Sequence, residues 1–183
     1  MSLTIIACVD NDSLLGLKDG RLAYRFKEDM RFFSEYTAGK TVITSRKTFD
    51  TISNQLPGRN IIAFSNNRHS IRKNFDGKYW LFKQSLKEVL SLVELSAKEF
   101  VVIGGAEIYR QAMPFCSKAI ITKPTYVGHL TRKFNYVPPG MAVRFPEKEF
   151  RQQFETESRP SLVLKRTELF TIHQWNQTSD RLL

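Results

Sequence analysis

Cysteine, long apolar runs and acidic residues are all scarce in this sequence. Its two cysteines, Cys8 and Cys116, are too few for a disulfide scaffold and lack the spacing of a metal site, so we expect buried free thiols and no bound metal. No apolar run approaches the roughly 18 residues of a membrane span. The N-terminal stretch has no basic residues before its short apolar run, which is not the pattern of a secretory signal. We therefore expect a soluble protein of a reducing compartment, the cytoplasm.

The residues that are abundant indicate one basic, globular unit. A chain of 183 residues, 42% hydrophobic and with 14 phenylalanines, is enough for one domain with a real core and too short for two. We predict a single domain over residues 1–183, with a frayed tail at residues 176–183. The net charge of +10 suits anionic partners such as nucleotides, phosphates, polycarboxylates or nucleic acid, but a merely solvated basic surface explains it equally well.

Short apolar runs alternate with amphipathic segments along most of the chain, which is typical of a mainly parallel sheet with helices on both faces. Strands are predicted at residues 3–9, 40–44, 60–65, 78–82, 99–103 and 118–123, and helices at residues 26–36, 46–53, 85–95 and 107–113. Residues 149–158 and 162–175 are predicted to form a closing antiparallel pair. Residues 10–20 and 124–146 are predicted to be irregular, the first of them a lid. The sequence thus predicts an α/β protein with a mixed, mostly parallel sheet of roughly eight strands and about four helices.

Asp29 lies on a predicted helix that otherwise packs on the core. Phe26, Met30 and Phe33 recur at the spacing of one helical face, and Asp29 falls on or beside that face. A carboxylate there finds a polar partner or shifts its pKa toward the neutral form. The pattern allows two interpretations: an exposed acid at the edge of the apolar stripe, or a carboxylate that lines a pocket and faces a ligand.

The start of the helix at residues 46–53 carries the residues expected around a bound anion. Ser45 can cap this helix, whose first turn holds Arg46, Lys47 and Thr48. Two cations in a first turn are unfavourable against the helix dipole unless an anion is bound there. A charged but solvated helix start is the alternative.

A pair of glycines joins the strand at residues 99–103 to the helix that follows it. Gly104 and Gly105 would let backbone amides approach a phosphate at this turn. Close packing of the strand against the helix explains the two glycines equally well, because the full dinucleotide-binding fingerprint is absent.

Taken together, the order and spacing of these segments resemble the dihydrofolate reductase family over nearly the whole chain. The similar segments are IIACVDND, EDMRFFSEYTAGK, TVITSRKTFDTI, LPGRNIIAFS, FVVIGGAEIYRQAMP and AIITK. The resemblance implies a dihydrofolate-reductase-like fold and the NADPH-dependent reduction of 7,8-dihydrofolate to 5,6,7,8-tetrahydrofolate by hydride transfer. This reaction supports one-carbon metabolism and the synthesis of thymidylate and purines. The resemblance also implies a monomer that binds folate analogues such as methotrexate.

The resemblance assigns Asp29 to the acid that binds the pterin ring. Asp29 would accept hydrogen bonds from the amidine-like edge of the ring and favour protonation of the neighbouring imine nitrogen. Thr122 would support this acid and Tyr24 would hold a water near the pterin, so the three form the implied catalytic set. Arg59 would bind the α-carboxylate of the glutamate tail, a bidentate task that suits arginine. The other implied substrate-binding residues are Ile6, Ala7, Met30, Phe33, Ile52 and Ile103.

NADPH is the cofactor that the resemblance implies. The helix start at residues 46–48 would hold its 2′-phosphate and pyrophosphate, the glycine turn would form a second phosphate site, and residues of the first strand and the lid would frame the nicotinamide. The implied cofactor-binding residues are Ala7, Leu15, Gly16, Ser45, Arg46, Lys47, Thr48, Ser65, Asn66, Arg68, Gly104, Gly105, Ala106, Glu107, Ile108 and Tyr109.

The chain departs from the family pattern mainly in and around the lid. Ala23-Tyr24 stands where the family commonly has Pro-Trp, Lys27 where it has a proline, and Thr44-Ser45 where it has Met-Gly. The basic segment GHLTRKFNY, residues 128–136, replaces an acidic loop that braces the lid in some members. The match is therefore closer at the two binding sites than at the lid.

Two other functions stay open at the level of sequence. A pyrimidine reductase of the riboflavin pathway shares the fold, although Asp29, Phe33 and Arg59 together suit a pterin with a glutamate tail better. The second alternative is a non-enzymatic binding or structural protein that keeps the fold and uses its basic surface, through which nucleic acid could bind.

Overall fold

The computed structural model describes residues 2–52, 56–64, 72–73, 79–83, 86–94, 98–134, 136–154 and 162–177. The strands are β1 (Leu3–Cys8), β2 (Leu14–Leu17), β3 (Thr41–Ser45), β4 (Asn60–Phe64), β5 (Arg72–Lys73), β6 (Tyr79–Lys83), β7 (Phe100–Gly104), β8 (Lys118–Pro124), β9 (Ala142–Arg144), β10 (Leu162–Arg166) and β11 (Phe170–Asn176). The α-helices are α1 (Lys27–Thr37), α2 (Arg46–Ile52), α3 (Leu86–Glu94), α4 (Ala106–Ala112), α5 (Tyr126–His129) and α6 (Glu147–Phe154), and a 3₁₀ turn spans Met113–Phe115.

Nine of these strands form one sheet in the order β10-β11-β8-β1-β7-β3-β4-β6-β5. The strands from β8 through β6 in this order pair in parallel. β11 is antiparallel to β8, β10 is antiparallel to β11, and β5 is antiparallel to β6. The predicted mixed, mostly parallel α/β fold is confirmed, although the sheet has nine strands rather than eight and the described chain has six α-helices rather than four.

The sheet divides the core into two layers because successive residues of a strand point to opposite faces. Ile5 belongs to the layer that packs beneath α4 and α6, together with Met113 and Phe150. The next residue, Ile6, belongs to the layer on the α1 side, together with Phe26. All residues of β1 up to Ala7 and all of β7 are buried, as expected for central strands covered on both faces.

The predicted closing strand pair is wrong in its first member. Residues 147–154 form helix α6, in which Phe150 and Phe154 are buried one turn apart beside Gln153. The antiparallel pair consists instead of β10 and β11, which together replace the single strand predicted for residues 162–175 and extend one residue beyond it, and Thr167 forms the turn between them. The predicted turn at Arg159-Pro160 lies outside the described residues.

Two segments predicted to be irregular contain regular structure. β2 lies inside the predicted lid and pairs with β9, which lies inside the segment of residues 124–146. The same segment contains α5, capped by the Thr125 side chain at the Gly128 backbone N–H. The predicted lid is therefore tied along part of its length to a second strand.

The predicted frayed tail is wrong at its start, because Asn176 belongs to β11 and the Gln177 backbone N–H donates to the Ser117 carbonyl at 2.9 Å. Ser85 of the predicted α3 cap and residues 178–183 lie outside the described residues.

The helices give no sign of a membrane span. In the described part of the chain, no helix is both long and apolar enough to cross a bilayer.

Candidate active site

Two adjoining cavities open where the parallel strands end. The smaller has a volume of about 250 Å³ and the larger about 710 Å³. Leu15, Leu22 and Met30 line both cavities, as do Thr48, Ile52, Ile103 and Tyr109. Because one set of side chains lines both cavities, the two cavities adjoin each other.

The smaller cavity is mostly apolar and gathers the predicted substrate-binding residues other than Arg59. It also contains Tyr24, from the predicted catalytic set. Its lining residues are Ile6, Ala7, Cys8, Leu15, Leu22, Tyr24, Asp29, Met30, Phe33, Ser34, Thr48, Ile52, Leu56, Ile103, Tyr109 and Thr122.

Asp29 provides the carboxylate of this cavity. It lies in the first turn of α1 and is half-buried. The Thr122 hydroxyl, on the neighbouring strand β8, donates a hydrogen bond to Asp29 Oδ1 at 2.5 Å. Of the two interpretations of the sequence pattern, the structure therefore favours the carboxylate that lines a pocket. With one oxygen held by Thr122, the carboxylate keeps a second oxygen, Oδ2, that can accept a hydrogen bond from a ligand.

Burial raises the pKa of the Asp29 carboxyl above its ordinary value. The hydrogen bond from Thr122 and the positive charge of Lys165 oppose this rise. The Cys8 thiol in the same cavity has a raised pKa, first because of burial and then because of the negative charges of Asp29 and Asp10. Cys8 is therefore a neutral wall residue, and Asp29 is the ionisable group suited to a cationic or amidine-like ligand edge.

The raised pKa of Asp29 predicts how its replacement affects stability. A carboxyl whose folded-state pKa is raised contributes stability below its unfolded pKa of about 3.9, and that contribution is lost as the pH rises through the folded pKa. We therefore expect Asp29→Asn to raise the free energy of unfolding at neutral pH, and to give a smaller gain near pH 3. Urea unfolding at both pH values measures this difference. An equal gain at both values would contradict it.

Tyr24 lies in the cavity wall, and its hydroxyl is held by Asp10 and Arg132. The hydroxyl donates to Asp10 Oδ2 at 3.1 Å and accepts from Arg132 Nε at 3.3 Å. The Tyr24 ring is buried and stacks on Phe26, with ring centroids 5.7 Å apart. Its role in holding a water near the ligand stays a prediction.

Arg59 is not brought into the lining of either cavity. Its guanidinium is buried behind Ser34 and donates to Thr37 Oγ1, to the Pro57 carbonyl, and to both the carbonyl and the hydroxyl of Ser34. A guanidinium has five N–H donors. Four of them are used in these hydrogen bonds to the described residues, which leaves one N–H for another partner. Its role toward a ligand carboxylate stays a prediction.

The larger cavity is lined by five basic residues and one acidic residue. Lys47 is the only one of the five that the sequence analysis assigned to a ligand. The lining residues are Leu15, Gly16, Leu17, Lys18, Gly20, Arg21, Leu22, Arg25, Met30, Ser45, Lys47, Thr48, Thr51, Ile52, Ile103, Gly105, Ala106, Glu107, Tyr109, Lys133 and Val143. Such a lining fits a polyanionic ligand with several phosphates, and most of the predicted cofactor-binding residues are in it.

The predicted phosphate-binding turns meet at Ser45. Its hydroxyl accepts from the Thr48 backbone N–H at 3.2 Å, as predicted for a helix cap, and from the Gly105 backbone N–H at 3.4 Å. Arg46 forms an ion pair with Asp50 one turn along α2, with Nε 2.8 Å from Oδ1. Lys47 is exposed and lines the larger cavity.

The other predicted cofactor-binding residues that the structure describes are not in the lining of the larger cavity. Arg46 and Gly104 line neither cavity. Ala7 lines the smaller cavity rather than the larger one. Ile108 lies on α4 and its side chain is buried in the core. Ser65, Asn66 and Arg68 lie outside the described residues.

The glycine turn packs directly on the Tyr109 ring. Gly104 has a φ of 104°, and a Cβ atom built on it would lie 2.9 Å from Tyr109 Cε2. The Tyr109 hydroxyl donates to the Ile6 carbonyl at 2.8 Å, which fixes the ring. A Cβ atom on Gly105 would meet Thr48 Oγ1 at an ordinary 3.5 Å. Gly104 is therefore required by the fold, whereas Gly105 has room for a side chain.

The two glycines should respond differently to alanine. We expect Gly104→Ala to lower the free energy of unfolding by about 1–3 kcal/mol, because its φ and the Tyr109 ring both oppose a side chain. Gly105→Ala should change it by less than about 0.5 kcal/mol. Urea unfolding of the two variants tests the difference, and equal losses would contradict it.

The structure also places residues in the cavities that the sequence analysis missed. Cys8 shares a strand face with Ile6, so strand periodicity could have indicated it. Leu56 and Ser34 flank the smaller cavity without a comparable sequence signal. Loops bring four further basic residues to the larger cavity, and no sequence pattern indicated them. They are Lys18, Arg21, Arg25 and Lys133.

Comparison with protein families gives a match over most of the chain. The family model described as Dihydrofolate reductase matches residues 2–159. The chain is 30% identical to dihydrofolate reductase type 3 of Salmonella typhimurium over 149 residues, which are 81% of this chain and 86% of that protein. It is 32% identical to the dihydrofolate reductase of Bacillus subtilis over 121 residues, which are 66% of this chain and 68% of that protein.

A solved structure shares the fold over almost the full length. It is a dihydrofolate reductase from Enterococcus faecalis complexed with NADP(H) and RAB-propyl, which this chain matches with a TM-score of 0.71 and 22% sequence identity. The match covers 97% of each chain. At this identity the likeness shows the fold.

Proposed function

The chain belongs to the dihydrofolate reductase family, and from this premise we propose how its two cavities divide the NADPH-dependent reduction of dihydrofolate to tetrahydrofolate. The smaller cavity takes the pterin of dihydrofolate and the larger takes NADPH. The observation that carries this proposal is the Asp29 carboxylate, held by Thr122 in an apolar cavity that adjoins a cavity rich in basic residues.

Asp29 binds and polarises the pterin. Its Oδ2 accepts hydrogen bonds from the amidine-like edge of the ring, and its negative charge favours protonation of the neighbouring imine nitrogen. The proton comes from water. Met30, Phe33 and Ile52 supply apolar walls that hold the ring and exclude bulk water.

NADPH, when bound, supplies a hydride to the carbon of the imine bond. Leu15 and Ile103 line both cavities and would hold the nicotinamide and the pterin beside each other at their shared boundary. Orientation and electrostatics are the protein's contribution to such a reaction.

The basic lining of the larger cavity holds the phosphates of the cofactor. Lys47, with Arg46 beside it, is positioned for the 2′-phosphate, so NADPH is preferred over NADH. Ser45 and Thr48 supply hydroxyls near the pyrophosphate. Gly105 has no side chain, so the cofactor can come close to its backbone.

Several properties follow as parts of the same proposal. Arg59 directs its remaining N–H toward the glutamate tail of the substrate. Methotrexate competes for the smaller cavity. The protein acts as a cytoplasmic monomer formed by one domain, and any binding of nucleic acid is limited to the basic surface.

The experiment that tests the proposed function is an oxidation assay. Purified protein is mixed with NADPH and dihydrofolate, and the loss of reduced-nicotinamide absorbance is followed with and without methotrexate. We expect folate-dependent oxidation that methotrexate abolishes. Oxidation only with a riboflavin-pathway pyrimidine would identify the related reductase, and no oxidation with either substrate would favour the non-enzymatic alternative.

A further inference from the structure

Asp10 is a buried carboxylate just beyond the end of β1, and the reaction described above does not use it. Its side chain is 2% exposed. Oδ1 accepts from the backbone N–H groups of Asp12 at 2.9 Å and Leu14 at 2.8 Å. Oδ2 accepts from the Tyr24 hydroxyl at 3.1 Å and from Arg132 Nη2 at 2.7 Å. Asp10 thus joins the start of the lid segment to Tyr24 and to Arg132.

Arg132 reaches Asp10 from the basic segment that follows α5. The same side chain donates from Nε to the Tyr24 hydroxyl at 3.3 Å, and its Nη2 lies 3.6 Å from an Asp12 carboxylate oxygen. The next residue, Lys133, donates its backbone N–H to the Ala23 carbonyl at 2.9 Å. The basic segment is therefore attached to residues 23–24 through main chain and side chain.

Tyr24 connects this buried cluster to the substrate. Its ring lines the smaller cavity, while its hydroxyl is held between Asp10 and Arg132. Mainly through burial, the pKa of the Tyr24 phenol is raised, so the hydroxyl keeps its proton and remains a donor. The placement of one cavity wall thus depends on two residues that do not line that cavity.

An arginine suits this arrangement because its planar fork donates in two directions at once. Lysine offers the same charge from a single nitrogen. A buried carboxylate whose cation is removed leaves an uncompensated charge, so Asp10 and Arg132 are expected to act as a unit.

We propose that Arg132 is a positioning residue for the substrate: by pairing with buried Asp10 and holding the Tyr24 hydroxyl, it fixes the Tyr24 ring as a wall of the dihydrofolate cavity. This inference rests on the proposed function for its kinetic test. It assigns to the basic segment a role in substrate placement, exerted through a salt bridge beneath the cavity.

The test is a double-mutant cycle on Tyr24→Phe and Arg132→Met, measured as kcat/KM for dihydrofolate and KM for NADPH. Each single change should lower kcat/KM for dihydrofolate about 10-fold, because each disconnects the ring from the cluster, and should change the KM for NADPH by less than about twofold. The double variant should also fall about 10-fold, not about 100-fold. Multiplied losses would overturn the proposal.

Two further variants separate positioning from a general loss of structure. Arg132→Lys keeps the charge beside Asp10 but cannot also hold the Tyr24 hydroxyl from a second nitrogen, so it should recover only part of the loss and leave kcat/KM about threefold below that of the unchanged protein. Arg144→Met is the matched control, because Arg144 is exposed and donates to the Asp12 carbonyl in the same loop; its kcat/KM should be unchanged. A loss with Arg144→Met equal to that with Arg132→Met, or a lower Tm for Arg132→Met without a kinetic change, would overturn the proposal.

A crystal structure of the Arg132→Met variant tests the inference without turnover. A displaced Tyr24 ring would support the positioning role even if the unchanged protein failed to reduce dihydrofolate, which would overturn only the proposed function. A ring that stays in place would overturn the positioning role.

Discussion

Replacing Asp29 with asparagine is expected to lower turnover of dihydrofolate at neutral pH by about 100- to 1000-fold. Asparagine keeps the shape and can still accept the hydrogen bond from Thr122, but it carries no negative charge to favour protonation of the pterin. Part of the rate should return as the pH is lowered, because substrate that is already protonated in solution no longer needs the carboxylate. Steady-state kinetics across the acidic and neutral range measure both effects.

Glu28 provides a matched control for this variant. It is an exposed acid in the same first turn of α1, so Glu28→Gln should change turnover by less than about twofold. Near-normal turnover of Asp29→Asn at neutral pH, or an equal loss in the two variants, would remove Asp29 from the reaction.

Removing the charges of Arg46 and Lys47 together is expected to weaken NADPH binding by about 100-fold and NADH binding by less than about threefold. The two cofactors differ only in the 2′-phosphate, which these side chains would contact. Titration of the double alanine variant with each cofactor, followed by fluorescence or calorimetry, measures the difference.

Arg151 offers the control for the cofactor experiment. Like Arg46 it forms an ion pair within one helix, with Glu147 on α6. Arg151→Ala should leave the binding of both cofactors unchanged. An equal loss of NADPH and NADH affinity in the Arg46 and Lys47 variant would show that the 2′-phosphate is held elsewhere.

The parts of the site that lie in short continuous motifs could be predicted from the sequence. Asp29 and Phe33 share one helix face, and Ser45 caps the helix that follows its strand, so local periodicity and capping rules locate them. Thr122 was implied by resemblance, and its contact with Asp29 spans 93 positions of the chain. Pattern alone could not have paired these two residues.

The prediction was wrong at α6, where two periods compete. Phe150 and Phe154 lie one helical turn apart, but their even spacing would also place them on one face of a strand. Packing decides the matter: Phe150 contacts the rings of Phe145 and Trp175, with centroids 5.7 Å and 5.3 Å away. Such tertiary contacts are not visible in local sequence.

The lid is where long-range contacts matter most. Leu14–Leu17 looks like part of a polar loop until Ala142–Arg144 pairs with it. The salt bridge between Arg132 and Asp10 joins residues 122 positions apart. A sequence pattern can indicate that the segment around Arg132 is basic. Only the fold shows that Arg132 forms an ion pair with the buried carboxylate of Asp10.

In the proposed reaction, hydride passes directly from NADPH to dihydrofolate between the two adjoining cavities. The most direct test uses NADPH in which both hydrogens of the donating nicotinamide carbon are replaced by deuterium, with mass spectrometry of the folate product. The two-cavity arrangement predicts tetrahydrofolate carrying one deuterium for each NADPH oxidised. NADPH oxidation that leaves no deuterium in tetrahydrofolate would contradict it.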